Sequence, residues 1–265
     1  IVYGGHYGSS DYRIQGFPLG GVRKLLGLIN AQMKSSELYL CFDGGSVLKK
    51  ELLPTYKAGR VPNYSVLAQI DLLKEILEDC NIPFYWHPDY EADDYIYSLV
   101  QFFDSIGDRE DIVIYSDDRD ISCCVSEHVS IKNVTSQGIC IDKRNFEVRA
   151  VEGERIPFNT VLIWKMMFGD KSDNYKGLYV PGLDFNTFAN AFINTVEPYL
   201  ADGSLPESSF ANLDIMEIVI DSLPESITPD MKHALKEQAM LVFPQRVNVT
   251  AKGIRAFIED ATTSG

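Results

Sequence analysis

Positive charge is scarce in this 265-residue chain: 24 Lys and Arg stand against 38 Asp and Glu, a net charge of −14. Taken alone, that balance argues against a general nucleic-acid binder, which carries a basic surface. Acids that hold metal ions, or a local basic patch, would reverse that inference. Histidine is also scarce, with 4 scattered residues, so a zinc site is not expected. The 5 cysteines are odd in number and none forms a Cys-x-x-Cys pair, which fits reduced thiols rather than a disulfide framework. No apolar run approaches the ~18–20 residues of a membrane span. No glycine-rich loop has the spacing that cradles a nucleotide phosphate, Leu19-Gly20-Gly21 being the nearest segment, which disfavours a kinase. Repeats and low-complexity tracts are absent. The start, Ile1-Val2-Tyr3-Gly4-Gly5, lacks the basic flank and apolar stretch of a signal peptide, and it lacks an initiator Met, so residues upstream are expected.

What is present is ordinary globular composition, 45% hydrophobic and 23% charged, in a chain long enough for one elaborated domain or two small ones. Apolar runs of strand length occur at 37–42, 82–86 and 111–115, and 129–133 with 139–141 reads as a hairpin around Ser136-Gln137-Gly138. Helical spacing marks 20–33, 65–79 and 92–103 between them. Strands alternating with helices predict an α/β fold with a mainly parallel central sheet flanked by helices. Beyond about residue 159 strand signals fade, and 161–168, 186–199, 214–223 and 230–243 read as helices. The expected organisation is an α/β body over 1–158 and a helical region over 159–265, with a long loop at 201–209 and a frayed tail at 261–265.

The acids fall at informative places. Asp43 follows the first strand, Glu91-Ala92-Asp93-Asp94 follows the second at a helix start, and Asp118 and Asp120 follow the third. Sites in parallel α/β sheets form beyond the carboxyl ends of strands, so three strands deliver carboxylates to one edge. A fourth cluster, Asp170-Lys171-Ser172-Asp173, follows an apolar helix. Each acid alone is explained by a helix cap or a turn; four clusters placed alike are not. Crowded carboxylates repel and raise one another's pKa. Hard divalent cations relieve this, and oxygen-only ligands suit Mg²⁺ or Mn²⁺. Two such ions are the usual device for cutting phosphodiesters. The segment after Asp43 is locally basic, with Lys49, Lys50, Lys57 and Arg60 against Glu51. These residues could hold a phosphate, and Tyr56 among them could stack on a base.

These residues resemble the flap endonuclease family of structure-specific 5'-nucleases, which includes phage 5'–3' exonucleases and the nuclease domain of bacterial repair polymerases. Phe42-Asp43-Gly44 looks like the family's strand-ending Asp, and Pro54 to Arg60 like its P-x-Y-K-x-x-R signature. Tyr90-Glu91-Ala92-Asp93-Asp94 matches E-A-D-D, and Ser116-Asp117-Asp118-Arg119-Asp120 resembles S-x-D-x-D. Gly169-Asp170-Lys171-Ser172-Asp173-Asn174 with Val180-Pro181-Gly182-Leu183 is similar to G-D-x-x-D-N…V-P-G-I-G. The likeness runs over about residues 1–200.

The resemblance implies a PIN-like 5'-nuclease fold with a helical arch at about 46–65 and a helix-hairpin-helix-like DNA-binding element at about 177–191, often with K⁺. It implies Asp43, Glu91 and Asp93 as ligands of a first metal, assisted by Asp94, and Asp118, Asp120, Asp170 and Asp173 around a second. Lys57 and Arg60 correspond to the pair that contacts the scissile phosphate, and Lys49 to a basic arch residue. DNA contact is expected at Lys49, Lys50, Tyr56, Lys57, Arg60 and Gly182. The implied activity is Mg²⁺- or Mn²⁺-dependent hydrolysis of DNA at 5' ends, overhangs and flap junctions in replication or repair. The protein is expected to be monomeric, in a bacterial or phage-infected cytoplasm, away from membranes, with replication proteins as candidate partners. Two departures stand out. The family's opening D-G-x-N is not seen before Ile1-Val2-Tyr3, and its G-I-G-x-K reads Gly182-Leu183-Asp184-Phe185-Asn186 here. The alternatives are a DNA-junction binding protein with an impaired site, motivated by the first departure, and a PIN-type metal-dependent ribonuclease.

Overall fold

The computed structural model describes residues 12–33, 35–106, 111–132, 155–203 and 210–249, with the backbone at 140–141 and 147–149. A small antiparallel pair, β1 (Arg13–Ile14) and β2 (Phe17–Pro18), leads into helix α1 (Gly20–Gln32). Helices α2 (Val47–Leu52), α3 (Tyr64–Asp79) and α4 (Ala92–Ser105) follow. Asn63 starts α3 by accepting a hydrogen bond from Val66 N, a side-chain N-cap. Val66, Leu73 and Leu77 then recur on one face of α3 and are fully buried against Val22, Leu25 and Ile29 of α1. Gln69 is buried on the same face because Gly21 N donates to its Oε1 at 2.8 Å, which satisfies a polar group inside that contact.

Strand β3 (Ile112–Tyr115) pairs in parallel with β4 (Val129–Lys132), Ile112 opposite Val129. The chain between them passes through a short 3₁₀ turn, Asp120–Cys124. Strand β5 (Cys140–Ile141) returns antiparallel to β4, as the hairpin pattern predicts; its turn at 136–138 lies outside the described residues. The runs at 37–42 and 82–86, expected as strands, meet in a single parallel bridge between Cys41 and Tyr85. A cavity of about 1740 Å³ is lined by Leu38, Leu40 and Phe42 and by Ile112 and Ile114 of β3, and by the acids described below. Among the described residues, no further strand extends the ladder from these hydrophobic runs. Val113, mid-strand, is 46% exposed.

Two short pairs complete the described strands: β6 (Glu147–Arg149) with β7 (Arg155–Pro157), and β8 (Gly169–Asp170) with β9 (Tyr175–Lys176). Helices α5 (Val161–Phe168), α6 (Phe185–Ala201), α7 (Leu213–Ser222) and α8 (Pro229–Val242) agree with the sequence expectation to within two residues. The loop expected at 201–209 falls largely outside the described residues, as does the tail at 261–265. The main core runs from Tyr97 and Val100 of α4 through Ile114 and Ile131 to Leu162, Phe188, Phe192, Met216 and Phe243. Fully buried side chains such as Phe188 and Phe192 contribute roughly 1.5–3 kcal/mol each from lost water contact. One core therefore joins the sheet to the helical region. Past α8 the chain crosses back over α4: Gln245 N donates to Asp94 Oδ1 at 2.6 Å and Val247 N to Ser98 Oγ at 2.8 Å.

Candidate functional site

The site grows from a close crossing of two chain segments. Gly44 N donates to Tyr90 O at 3.0 Å and Gly45 N to Pro88 O at 2.7 Å. A Cβ at Gly44 would collide with the carbonyl oxygens of His87 and Tyr90, so only glycine lets these backbones touch. Asp43 is thereby carried to the first turn of α4, where its Oδ1 accepts from Ala92 N at 2.9 Å.

Glu91, just before α4, is buried and densely bonded. It accepts from Ser46 Oγ at 2.7 Å, from Lys49 Nζ at 2.7 Å, from Tyr56 OH at 3.3 Å and from Lys57 Nζ. Burial alone would raise this carboxyl, but the two ammonium groups outweigh it and hold Glu91 well below the usual carboxylate range. Ser46 and Lys57 reach it from left-handed backbone, at φ 52° and 56°. Such conformations are costly for non-glycine residues and persist where surrounding bonds enforce them.

The basic turn is clamped onto the loop between β8 and β9. Arg60 pairs with Asp173, and Arg60 Nε donates to Ser172 O at 3.1 Å. Lys57 N donates to Asp173 O and Asn174 Nδ2 to Thr55 O, both at 2.8 Å. Asn174 is itself left-handed, at φ 57°. Gly169, at φ 80°, opens this hairpin, and a Cβ there would strike Gly177 N.

Deeper in, Lys165 of α5 pairs with both Asp120 and Asp170, the latter at 2.7 Å. Asp170 also accepts from Ser172 N and Oγ. Burial opposes ionisation of Asp170, yet Lys165 and the Ser172 bonds hold its carboxyl down at about 2. For Asp120 burial wins, helped by the neighbouring Asp118 and resisted by Lys165, and its carboxyl is pushed up to about 6. One of its oxygens, Oδ1, is buried without a hydrogen-bond partner. Asp93 is raised well above the usual range by burial, then by the charges of Asp118, Asp43 and Asp120. Asp118 accepts from Asp120 N at 3.0 Å and is exposed.

The acids thus divide. Glu91, Asp120, Asp170 and Asp173 face ammonium or guanidinium groups. Asp43, Asp93 and Asp118 line one cleft with Glu91, Asp120 and Asp173 and make no ion pair to Lys or Arg among the described residues. Among the described residues, no three His, Cys, Asp or Glu side chains stand close enough to enclose an ion as they are placed. The donor chemistry nonetheless fits a hard cation: all oxygen, mutually repelling around Asp93, with an unserved oxygen on Asp120.

Residues 2–151 match the family model described as the 5'-3' exonuclease N-terminal, resolvase-like domain. The chain belongs to this 5'-3' exonuclease family. It is 32% identical to the 5'-3' exonuclease of Aquifex aeolicus over 62% of its own length and 56% of that protein. It is 31% identical to DNA polymerase I of Caldicellulosiruptor bescii over 84% of its length and 25% of that protein. The chain therefore spans little more than half of the exonuclease and a quarter of the polymerase. A solved structure of the T5 5'-exonuclease with bound zinc overlaps 83% of this chain and 89% of its own, with a TM-score of 0.47 at 19% identity.

Within this exonuclease-family chain several expected roles change. Tyr56 cannot stack on a base: it is 2% exposed, stacks on Tyr175 and directs its hydroxyl at Glu91 and Asp173. Lys49, expected on the arch toward DNA, is buried beneath Glu91. Asp94, expected to assist the metal ligands, spends its two oxygens on Glu91 N at 2.8 Å and Gln245 N at 2.6 Å. Lys50 turns back to Gly45 O, away from the cleft. Gly182 stands in an exposed turn before α6, at φ 82°. The expected arch over 46–65 contains one short helix, α2, then a turn and the start of α3. Lys165 and Ser46 are site residues that sequence reasoning missed. The signal for Lys165 was there: a lone cation inside the apolar run Val161 to Phe168.

Proposed function

We propose that this chain is a metal-dependent, structure-specific 5'-nuclease that hydrolyses DNA phosphodiesters at 5' ends and flap junctions. The observation that carries the reading is that Asp43, Asp93, Asp118 and Asp120 line the same cavity as Lys57 and Arg60, which pair there with Glu91 and Asp173. Asp43, Glu91 and Asp93 would hold one divalent ion, Mg²⁺ or Mn²⁺, and Asp118, Asp120, Asp170 and Asp173 a second, with K⁺ at the turn around Gly182. Bound there, such ions supply charge neutralisation and an activated water for in-line attack. Lys57 and Arg60 bind and orient the scissile phosphate, leaving Glu91 and Asp173 as they do so. The buried Lys49 keeps Glu91 ionised throughout. Substrate, replication context, a cytoplasmic setting and a monomeric state belong to the same proposal.

The test uses a 5'-flap DNA and a matched single-stranded RNA, each labelled at its 5' end, in Mg²⁺ with and without EDTA. EDTA-sensitive cutting near the DNA junction is expected. Retained junction binding without cutting would replace this reading with the binding-protein alternative, and preferential RNA cutting would replace it with the ribonuclease one.

A further inference from the structure

We propose that Lys165 is an internal competitor of the second divalent ion: its ammonium group bridges Asp120 and Asp170 in the ion-free protein and must leave for that ion to bind. The inference rests on the metal reading above. Helix α5 is buried from Val161 through Met166, and Lys165 is the one charged residue in Val161–Phe168. A lone cation there would be expelled by its desolvation cost. It stays because Asp120 and Asp170 close on it from two separate chain segments. That arrangement holds two carboxylates together that would otherwise repel.

A single ammonium leaves the demand half met. Asp120 Oδ1 remains buried and unpartnered, and Asp118 and Asp93 add negative charge beside it. A dication with several coordination positions serves both oxygens of Asp120, which one N–H cannot. Among the described residues, no cation bridges Asp43 and Asp93, the two carboxylates that would hold the first ion with Glu91. The two positions should therefore differ: the first ion meets Asp43 and Asp93 beside a Glu91 already served by Lys49 and Lys57, and the second must displace an ammonium seated between two of its own ligands, Asp120 and Asp170. The competitor tunes second-ion affinity without touching the substrate, so Lys165 is a positioning residue.

The probe is Mn²⁺ alone, titrated into the full ion-free chain and followed by the loss of the free-ion paramagnetic resonance signal. Wild type should bind in two unequal steps. In Lys165→Met the weaker step should tighten by about tenfold or more, because a charge at contact distance is removed; Lys165→Arg should stay weak. A wild type that binds no Mn²⁺ would overturn the metal reading and this inference together. Two steps in wild type with an unchanged or weaker second step in folded Lys165→Met would overturn the inference alone. Should Lys165→Met fail to fold, amine acetylation of wild type decides: labelling of Lys165 must rise with saturating Mn²⁺, and unchanged labelling would sink the idea.

Discussion

Lys49 Nζ donates to Glu91 Oε2 at 2.7 Å, with side chains only 8% and 5% exposed. A buried pair of this kind costs about 3–5 kcal/mol to break from one side, and because Lys57 still faces Glu91 the cost here falls at the lower end. Lys49→Met should therefore lower stability by roughly 3 kcal/mol in urea unfolding of the ion-free protein. Lys50→Met, on the exposed side of the same helix, should leave it unchanged. Equal effects would mean that Lys49 does not serve Glu91 as its counter-ion.

Asp93 offers the opposite case. Its surroundings carry the charges of Asp118, Asp43 and Asp120, so neutralising it relieves repulsion in the absence of metal. Asp93→Asn should raise the Tm measured in EDTA while reducing flap cleavage at least about a hundredfold, a trade of stability against function. A fall in Tm with cleavage retained would remove Asp93 from the site.

Asp94 should behave as neither. Asp94→Ala leaves two backbone N–H groups, of Glu91 and Gln245, without an acceptor. Loss of buried hydrogen bonds of this kind costs about 1–3 kcal/mol each. Tm should fall, and Mn²⁺ affinity of the folded fraction should change little. A selective loss of metal binding with normal Tm would restore Asp94 as a ligand.

The pH dependence of the ion-free protein follows from the raised carboxyls. Asp93 and Asp120, the latter at about 6, bind protons in the folded state that the unfolded chain has released above about 4. Stability must then fall as pH rises through that window. Glu91 and Asp170 act in the other sense: their contribution is present above the ordinary carboxylate range and is lost only as pH falls toward their lowered values, about 2 for Asp170. In EDTA the Tm should be higher at pH 5 than at pH 7.5, and saturating Mg²⁺ should shrink the gap. A Tm that climbs with pH over this range would contradict the charge arrangement.

Lys57→Ala should slow single-turnover cleavage more than it weakens binding to a flap substrate in Ca²⁺. Its ammonium lies within reach of Glu91 and matters most where negative charge develops. Equal losses in both would make it an ordinary phosphate anchor.

Helices are legible in the sequence because periodicity reports burial directly: the apolar run Val161 to Phe168 alone gives the bounds of α5. The order of acids after strands likewise marks the cleft edge that Asp43, Asp93 and Asp118 share. Pairing is not legible. Nothing local says that Lys49 faces inward while Lys50 faces out, since the α2 helix decides it through its contact with Glu91. Tyr56 has the composition of a base-stacking residue, and only tertiary packing on Tyr175 makes it a buried hydroxyl donor. Asp94 looks like its neighbour Asp93 because one helical step, rather than residue type, separates a capping carboxylate from one in the cleft.

The bond from Gln245 to Asp94 joins positions 151 residues apart. During synthesis, the start of α4 emerges from the ribosome long before its distant partner exists. At elongation rates of about 5–20 residues per second, the Glu91–Asp94 turn waits roughly 8–30 seconds for Gln245. Native-like anchoring of that turn is thus a late event, and a nascent chain stalled ahead of residue 245 would carry the acids without the clasp that aligns them.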